Sequence, residues 1–346
     1  MLNEPPLTGN SPPSTREALA ARLEAAGHDW IVPAWPAPRG IGALSTTRNG
    51  GVSRGGAAAF NLGLTGAVRD GIDEPEAVLA NRQRLDAFLP STPVWLQQVH
   101  GITVARLDQT NANAARATPP EADAAVTATP GIVCAVMTAD CLPVLFADRR
   151  GRAVGAAHAG WRGLATGVLA ATVGALADLG ARRGDLVAWL GPAIGPDVFE
   201  VGVEVRAAFV AGDADASACF RPRGNGKWLA DLYALARRQL AHAGIGEVHG
   251  GGHCTMTESA RFYSYRRERR TGTRNELASG GDDIIVRHRS KALACVSECN
   301  PDRSHTPGYL VHTCLHRRCQ PGRGGCLHDC RRRHADAAPV VDLTAR

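Results

Sequence analysis

The chain has 346 residues, 44% of them hydrophobic and 21% charged, the balance of a folded globular protein with a substantial core. The formal net charge of +6 is modest and concentrated toward the C-terminus, so charge makes no case for a nucleic-acid partner. No run approaches the roughly 18 uncharged apolar residues of a membrane span, which argues against a membrane protein.

The first residues lack the charged-then-apolar pattern of a secretory signal. The chain therefore reads as cytoplasmic, where thiols stay reduced, and its ten cysteines are not a disulfide framework by default. Residues 1–13, rich in Pro, Ser, Gly and Asn, read as a disordered tail. Ser14 and Glu17 have the spacing of a capping box, and Leu19 and Leu23 predict a short helix stopped by Gly27. Gly40 to Thr47 reads as a strand ending in the Asn49-Gly50-Gly51 turn. A helix is expected from Pro75, with Val78, Leu85 and Phe88 on one face. Val94 to Gly101 reads as a strand with His100 at its end, Ile102 to Leu107 as a returning strand, and 109–121 as a surface loop.

The run Val133 to Gly167 is the most chemical part of the chain. Short apolar stretches with few charges predict buried strands. One ends at Asp140-Cys141, another carries His158, and Gly160-Trp161-Arg162-Gly163 leads into a helix that Gly180 closes. Leu186 to Leu190 reads as a strand closed by Gly191-Pro-Ala-Ile-Gly195. Helices are expected at Val205 to Phe209 and Asp231 to Ala243. Strands and helices interleave without a regular βαβ rhythm, which favours an α+β fold.

His100, Cys141 and His158 each fall near a strand end, so all three can meet at one sheet edge. Two imidazoles and a thiolate suit zinc with a fourth position open, where bound water reaches a pKa of about 7. The same residues are equally open to a Cys141 nucleophile activated by a histidine, or to burial without function. Arg48, in a turn, and Arg162, at a helix start, are candidates for an anion pocket, since guanidinium suits phosphate; most arginines are simply solvated. Phe262-Tyr-Ser-Tyr-Arg-Arg267 mixes aromatic and basic groups that can stack on a base or pack a loop.

Seven motifs occur in one order: Ser45-Thr-Thr-Arg48-Asn-Gly-Gly-Val-Ser53, Phe60-Asn-Leu-Gly63, Gln98-Val-His-Gly101, Thr138-Ala-Asp-Cys-Leu-Pro-Val144, His158-Ala-Gly-Trp-Arg-Gly163, Gly191 to Gly195, and Phe262 to Arg267. On these the chain resembles the laccase-domain (polyphenol oxidase) family, also called peptidoglycan editing factors and described as purine nucleoside phosphorylases. The resemblance implies an α/β/β/α sandwich of mixed β-sheets flanked by helices, forming a single catalytic domain over 14–272. It also implies a Zn2+ site on His100, Cys141 and His158, with Arg48 and Arg162 as phosphate or substrate contacts. The implied substrates are purine nucleosides and phosphate: phosphorolysis of adenosine, inosine, guanosine and methylthioadenosine, with deamination of adenosine. Asp140, beside a ligand, is a candidate proton shuttle. A cysteine hydrolase or amidase using Cys141 is the alternative. A copper-dependent laccase is the second, and fits less well, because coupled copper clusters need many more His ligands than this core offers.

Two departures follow. The family's Asn-Leu-Gly-x-His pattern lacks its His at Asn61 to Asp70. Beyond Gly272 the chain becomes rich in Arg, Cys and His, with six of the ten cysteines between Cys295 and Cys330. Residues 273–346 are expected to be disordered, as from a shifted reading frame, with the family's terminal strand missing or poorly replaced. An appended zinc module using Cys295, Cys299, Cys314, Cys319, Cys326 and Cys330 is the competing reading.

Overall fold

The apolar runs of the sequence become the strands of two sheets packed face to face. The computed structural model describes residues 14–64 and 73–268, and the backbone of 269–270 and 282–287; these residues lie in one compact unit. In chain order the elements are α1 (Thr15–Ala25), β1 (Gly42–Ser45), α2 (Pro75–Asp86), β2 (Val104–Arg106), α3 (Ala112–Ala117), β3 (Ala124–Thr127) and β4 (Val133–Thr138). Next come β5 (Leu142–Asp148), β6 (Val154–Ala159), α4 (Trp161–Thr166), α5 (Val168–Asp178), β7 (Leu186–Leu190), β8 (Glu200–Val201) and α6 (Val203–Val210). The last are β9 (Phe220–Gly224), β10 (Lys227–Ala230), α7 (Leu232–His242), β11 (Glu247–Gly250), α8 (Tyr265–Arg270) and β12 (Asp282–Arg287).

The larger sheet runs β11-β7-β5-β6-β3-β2. Its three central pairings are antiparallel, while β11 on β7 and β2 on β3 are parallel. A second sheet runs β1-β12-β4, and a third β8-β10-β9.

Side-chain alternation sets the layers. On β5, Leu142, Val144 and Phe146 join Leu169, Val173 and Leu176 of α5 and Leu232 and Leu235 of α7 in one apolar cluster. Leu145 and Ala147 point the other way and pack with Ala43 of β1 and with Cys134 and Val136 of β4. The far face of that smaller sheet, Leu44, Val133 and Ala135, packs on Leu19 and Leu23 of α1, Leu85 of α2 and Phe88 just beyond it. The result is four layers, α/β/β/α, and an α+β fold as expected. The Ser14–Glu17 capping box forms, with both hydrogen bonds made. Among the described residues no helix is long and apolar enough to cross a membrane.

Three expectations fail. Val94 to Gly101 forms no ladder: Val94 and Gln97 make isolated bridges to two different segments, at Cys134 and Glu121, and His100 then turns the backbone to φ 61°. The stretch 109–121 is not all loop. Thr110 and Asn111 donate backbone N–H groups to Asp108 Oδ1, and that turn feeds α3. Most consequentially, the terminal strand is present. Backbone register sets Ile285 of β12 opposite both Leu44 and Ala135, inside the 273–346 stretch expected to be disordered. Asp282-Asp-Ile-Ile-Val-Arg287 shows no period because a central, two-sided strand need not alternate. Residues 1–13, the altered 65–72 segment, 271–281 and 288–346 lie outside the described residues.

Candidate metal centre

The larger sheet carries the chemistry to one of its ends. On β6 the alternation that turns Val154 and Ala156 toward the layer between the sheets turns His158 the same way, and it is buried. The β3–β6 register pairs Ala124 with Ala157, which brings Asp123 opposite His158. The His158 backbone N–H donates to the Asp123 carbonyl at 2.7 Å, and the Asp123 carboxylate lies 2.8 Å from His158 Nδ1.

Cys141 precedes β5, whose register sets Leu142 opposite Ala159. Gly160 therefore faces it. A Cβ on Gly160 would lie 2.8 Å from His100 Cδ2 and 2.9 Å from Cys141 Sγ, so only glycine fits at this point. His100 arrives on a turn of its own, and the backbone N–H groups of Val99, His100 and Gly101 all donate to the Asp123 carboxylate, at 3.2, 2.9 and 2.7 Å. The Gln98 side-chain amide tethers that turn to β4, donating to the Met137 carbonyl at 2.9 Å and accepting from its N–H at 2.8 Å.

These elements bring together the three residues singled out from sequence. One donor atom from each of His100, Cys141 and His158 lies within 4.8 Å of the others, and among the described residues this is the one such cluster. Cys141 Sγ is 3.7 Å from His100 Nε2, and the two imidazoles meet edge to face at 4.8 Å. His100 is exposed and His158 buried, so the cluster opens on the His100 side. Burial pushes the Cys141 thiol up, but the His158 charge and hydrogen bonds from both imidazoles outweigh it and hold the thiol at about 6. Burial pushes His158 down; the Cys141 thiolate and the Asp123 carboxylate overcome it and raise the imidazole to about 9. The donor set fits zinc, two imidazoles and a thiolate with one side open. With Nδ1 facing Asp123, Nε2 is the nitrogen that His158 would offer to a metal.

The other predicted site residues lie outside this three-residue cluster and make contacts of their own. Asp140 takes φ 82°, and its carboxylate accepts from Thr255 Oγ1 at 2.6 Å and from the Arg266 N–H at 2.7 Å. It ties the Cys141 turn to the start of α8. Arg48 donates to the Ala58 carbonyl from Nε and Nη2, at 3.0 and 2.8 Å, and lies over the Tyr263 ring. Arg162, on α4, is exposed, with its guanidinium over Trp161. Phe262, Tyr263 and Ser264 are buried, so this segment packs the wall behind α8. Sequence reasoning missed Asp123 and Tyr233. The latter's hydroxyl accepts from the Ala193 N–H at 2.8 Å and donates to the His253 carbonyl at 2.6 Å, stitching the Gly191–Gly195 loop. A carboxylate at the mouth of the uncharged strand β3 is the one sequence signal that could have singled out Asp123.

Comparison with known proteins agrees with this architecture. The family model described as multi-copper polyphenol oxidoreductase laccase matches residues 42–279. The Escherichia coli protein named purine nucleoside phosphorylase YfiH is 53% identical over 244 residues, covering 70% of this chain and 95% of the relative. A Haemophilus influenzae purine nucleoside phosphorylase is 45% identical over 247 residues, with 70% and 95% covered. The crystal structure of a Neisseria meningitidis DUF152 protein superposes with a TM-score of 0.66 at 44% identity, covering 76% of this chain and 100% of that one. YlmD from Geobacillus stearothermophilus gives 0.67 at 29% identity, over 75% and 96%. This chain belongs to the laccase-like family that its seven motifs resemble.

Proposed function

We propose that this protein is a zinc-dependent purine nucleoside phosphorylase, with His100, Cys141 and His158 as the metal ligands. The observation that carries the reading is that one His/Cys/His cluster, in a chain about half identical to proteins named purine nucleoside phosphorylase. Its substrates are purine nucleosides (adenosine, inosine, guanosine and methylthioadenosine) and inorganic phosphate.

In phosphorolysis the ribose C1′–N9 bond breaks, a phosphate oxygen bonds to C1′, and the purine leaves carrying a proton. Zinc, when bound, supplies Lewis acidity for charge developing on the substrate. The chain's own residues do the rest. The open His100 side admits the nucleoside, and Arg162, exposed at the start of α4, offers phosphate a planar set of donors. Arg48 donates to the Ala58 and Ser259 carbonyls and faces Glu268, so it holds the wall that Tyr263 lines and contributes less to phosphate than Arg162. Hydrolytic deamination of adenosine, in which water displaces ammonia at C6, belongs to the same centre. Asp140 is a poor proton shuttle for it, since both carboxylate oxygens already accept hydrogen bonds.

A second reading, a Cys141 nucleophile in a hydrolase or amidase, is favoured by the thiol held at about 6. Copper chemistry of the laccase type has less support, because the described residues offer one three-donor cluster. Metal analysis separates them. About one zinc per chain, lost together with purine release in Cys141→Ala, supports the phosphorylase. A metal-free protein whose Cys141 is alkylated rapidly supports the nucleophile.

A further inference from the structure

We propose that Asp123 is the positioning residue of this centre: one carboxylate orients His158 and fixes the turn that presents His100, and so sets the affinity for metal. The proposal rests on the zinc reading above.

Asp123 is fully buried, and its charge is met entirely by donors from the two histidine-bearing segments. One is His158 Nδ1 at 2.8 Å. The others are the three successive N–H groups from Val99 to Gly101. Those amides can converge only because His100 adopts φ 61°, a conformation that costs a non-glycine residue free energy and needs a compensating partner. A concave row of N–H groups closes on an anion; here the anion is part of the fold. The same carboxylate fixes His158 with its proton on Nδ1, leaving Nε2 toward Cys141 and His100. Two ligands that are distant in sequence are thus set by one side chain between them. Gly163 completes the seat, since a Cβ there would lie 2.8 Å from the Gly101 carbonyl.

The direct test is zinc affinity, measured by chelator competition on full-length wild type, Asp123→Asn and Asp123→Ala, with the unfolding midpoint of each metal-free protein recorded alongside. Asn keeps an acceptor for His158 but loses the charge and turns N–H groups toward the amides. Zinc affinity should fall about 10- to 100-fold in Asn, within the range for a ligand's hydrogen-bond partner, and further in Ala. A role confined to folding would lower the midpoint while leaving the affinity of the folded protein unchanged, and that result overturns the proposal. Should the variants not fold, histidine nitrogen NMR of zinc-loaded wild type decides: His158 carries its proton on Nδ1 and binds zinc through Nε2 if the proposal holds, and the reverse if it is wrong. Wild type that takes up no zinc overturns the zinc reading and this assignment together. Zinc-binding wild type beside an Asn variant of equal affinity overturns the assignment alone.

Discussion

Gly160 is the tightest point of the centre, with no room for a methyl group between His100 and Cys141. Gly160→Ala should keep the fold and lose zinc by at least about tenfold in affinity, since two ligands must move to admit the Cβ; metal content after dialysis checks this. Cys141 offers a second test. Its thiol sits below the usual range, so in chelator-treated protein the thiolate persists down to about pH 6 and alkylation should accelerate as pH rises through that value. The stability this ion pair lends the metal-free protein through Cys141 is present at higher pH and lost as pH falls through about 6. His158→Asn should move the alkylation inflection upward, and zinc should slow alkylation of wild type. An inflection left near the ordinary thiol range would contradict the electrostatics described. At this scale the three residues of the cluster were legible in the sequence, because a thiol and two imidazoles interrupt otherwise apolar runs. Asp123 was not, since its partners lie 22 to 35 residues away. Arg48 was read as an anion contact because the carbonyls that occupy it, at Ala58 and Ser259, leave no trace in spacing.

Among the elements, β12 matters most to the scaffold, since it fills the gap between β1 and β4. Ile285→Pro should remove a ladder hydrogen bond and destabilise the protein by about 3 kcal/mol, lowering the unfolding midpoint. An unchanged midpoint would mean that the smaller sheet does not depend on this strand. The long helices and buried strands could be read from period and caps, as the Ser14 capping box and the Pro75 start demonstrate. Elements made by local side-chain bonding or by distant pairing could not: α3 hides among turn residues that Asp108 organises, and β12 sits in an Arg- and Cys-rich stretch.

For the molecule as a whole, four layers put the centre at the rim of the apolar layer between the sheets, where His158 continues the face of Val154 and Ala156. Core and site are therefore separable. Phe146→Ala, which opens a cavity on the opposite face of β5, should cost about 3–5 kcal/mol of stability while leaving the zinc affinity of the folded protein unchanged. The zinc-centred phosphorylase is tested most directly by incubating protein of known metal content with inosine, with and without inorganic phosphate, and measuring free hypoxanthine and ribose 1-phosphate. The expected result is about one zinc per chain and equal amounts of the two products, formed only when phosphate is present and lost when zinc is stripped. Zinc-free protein that turns over, or base release indifferent to phosphate, would contradict it.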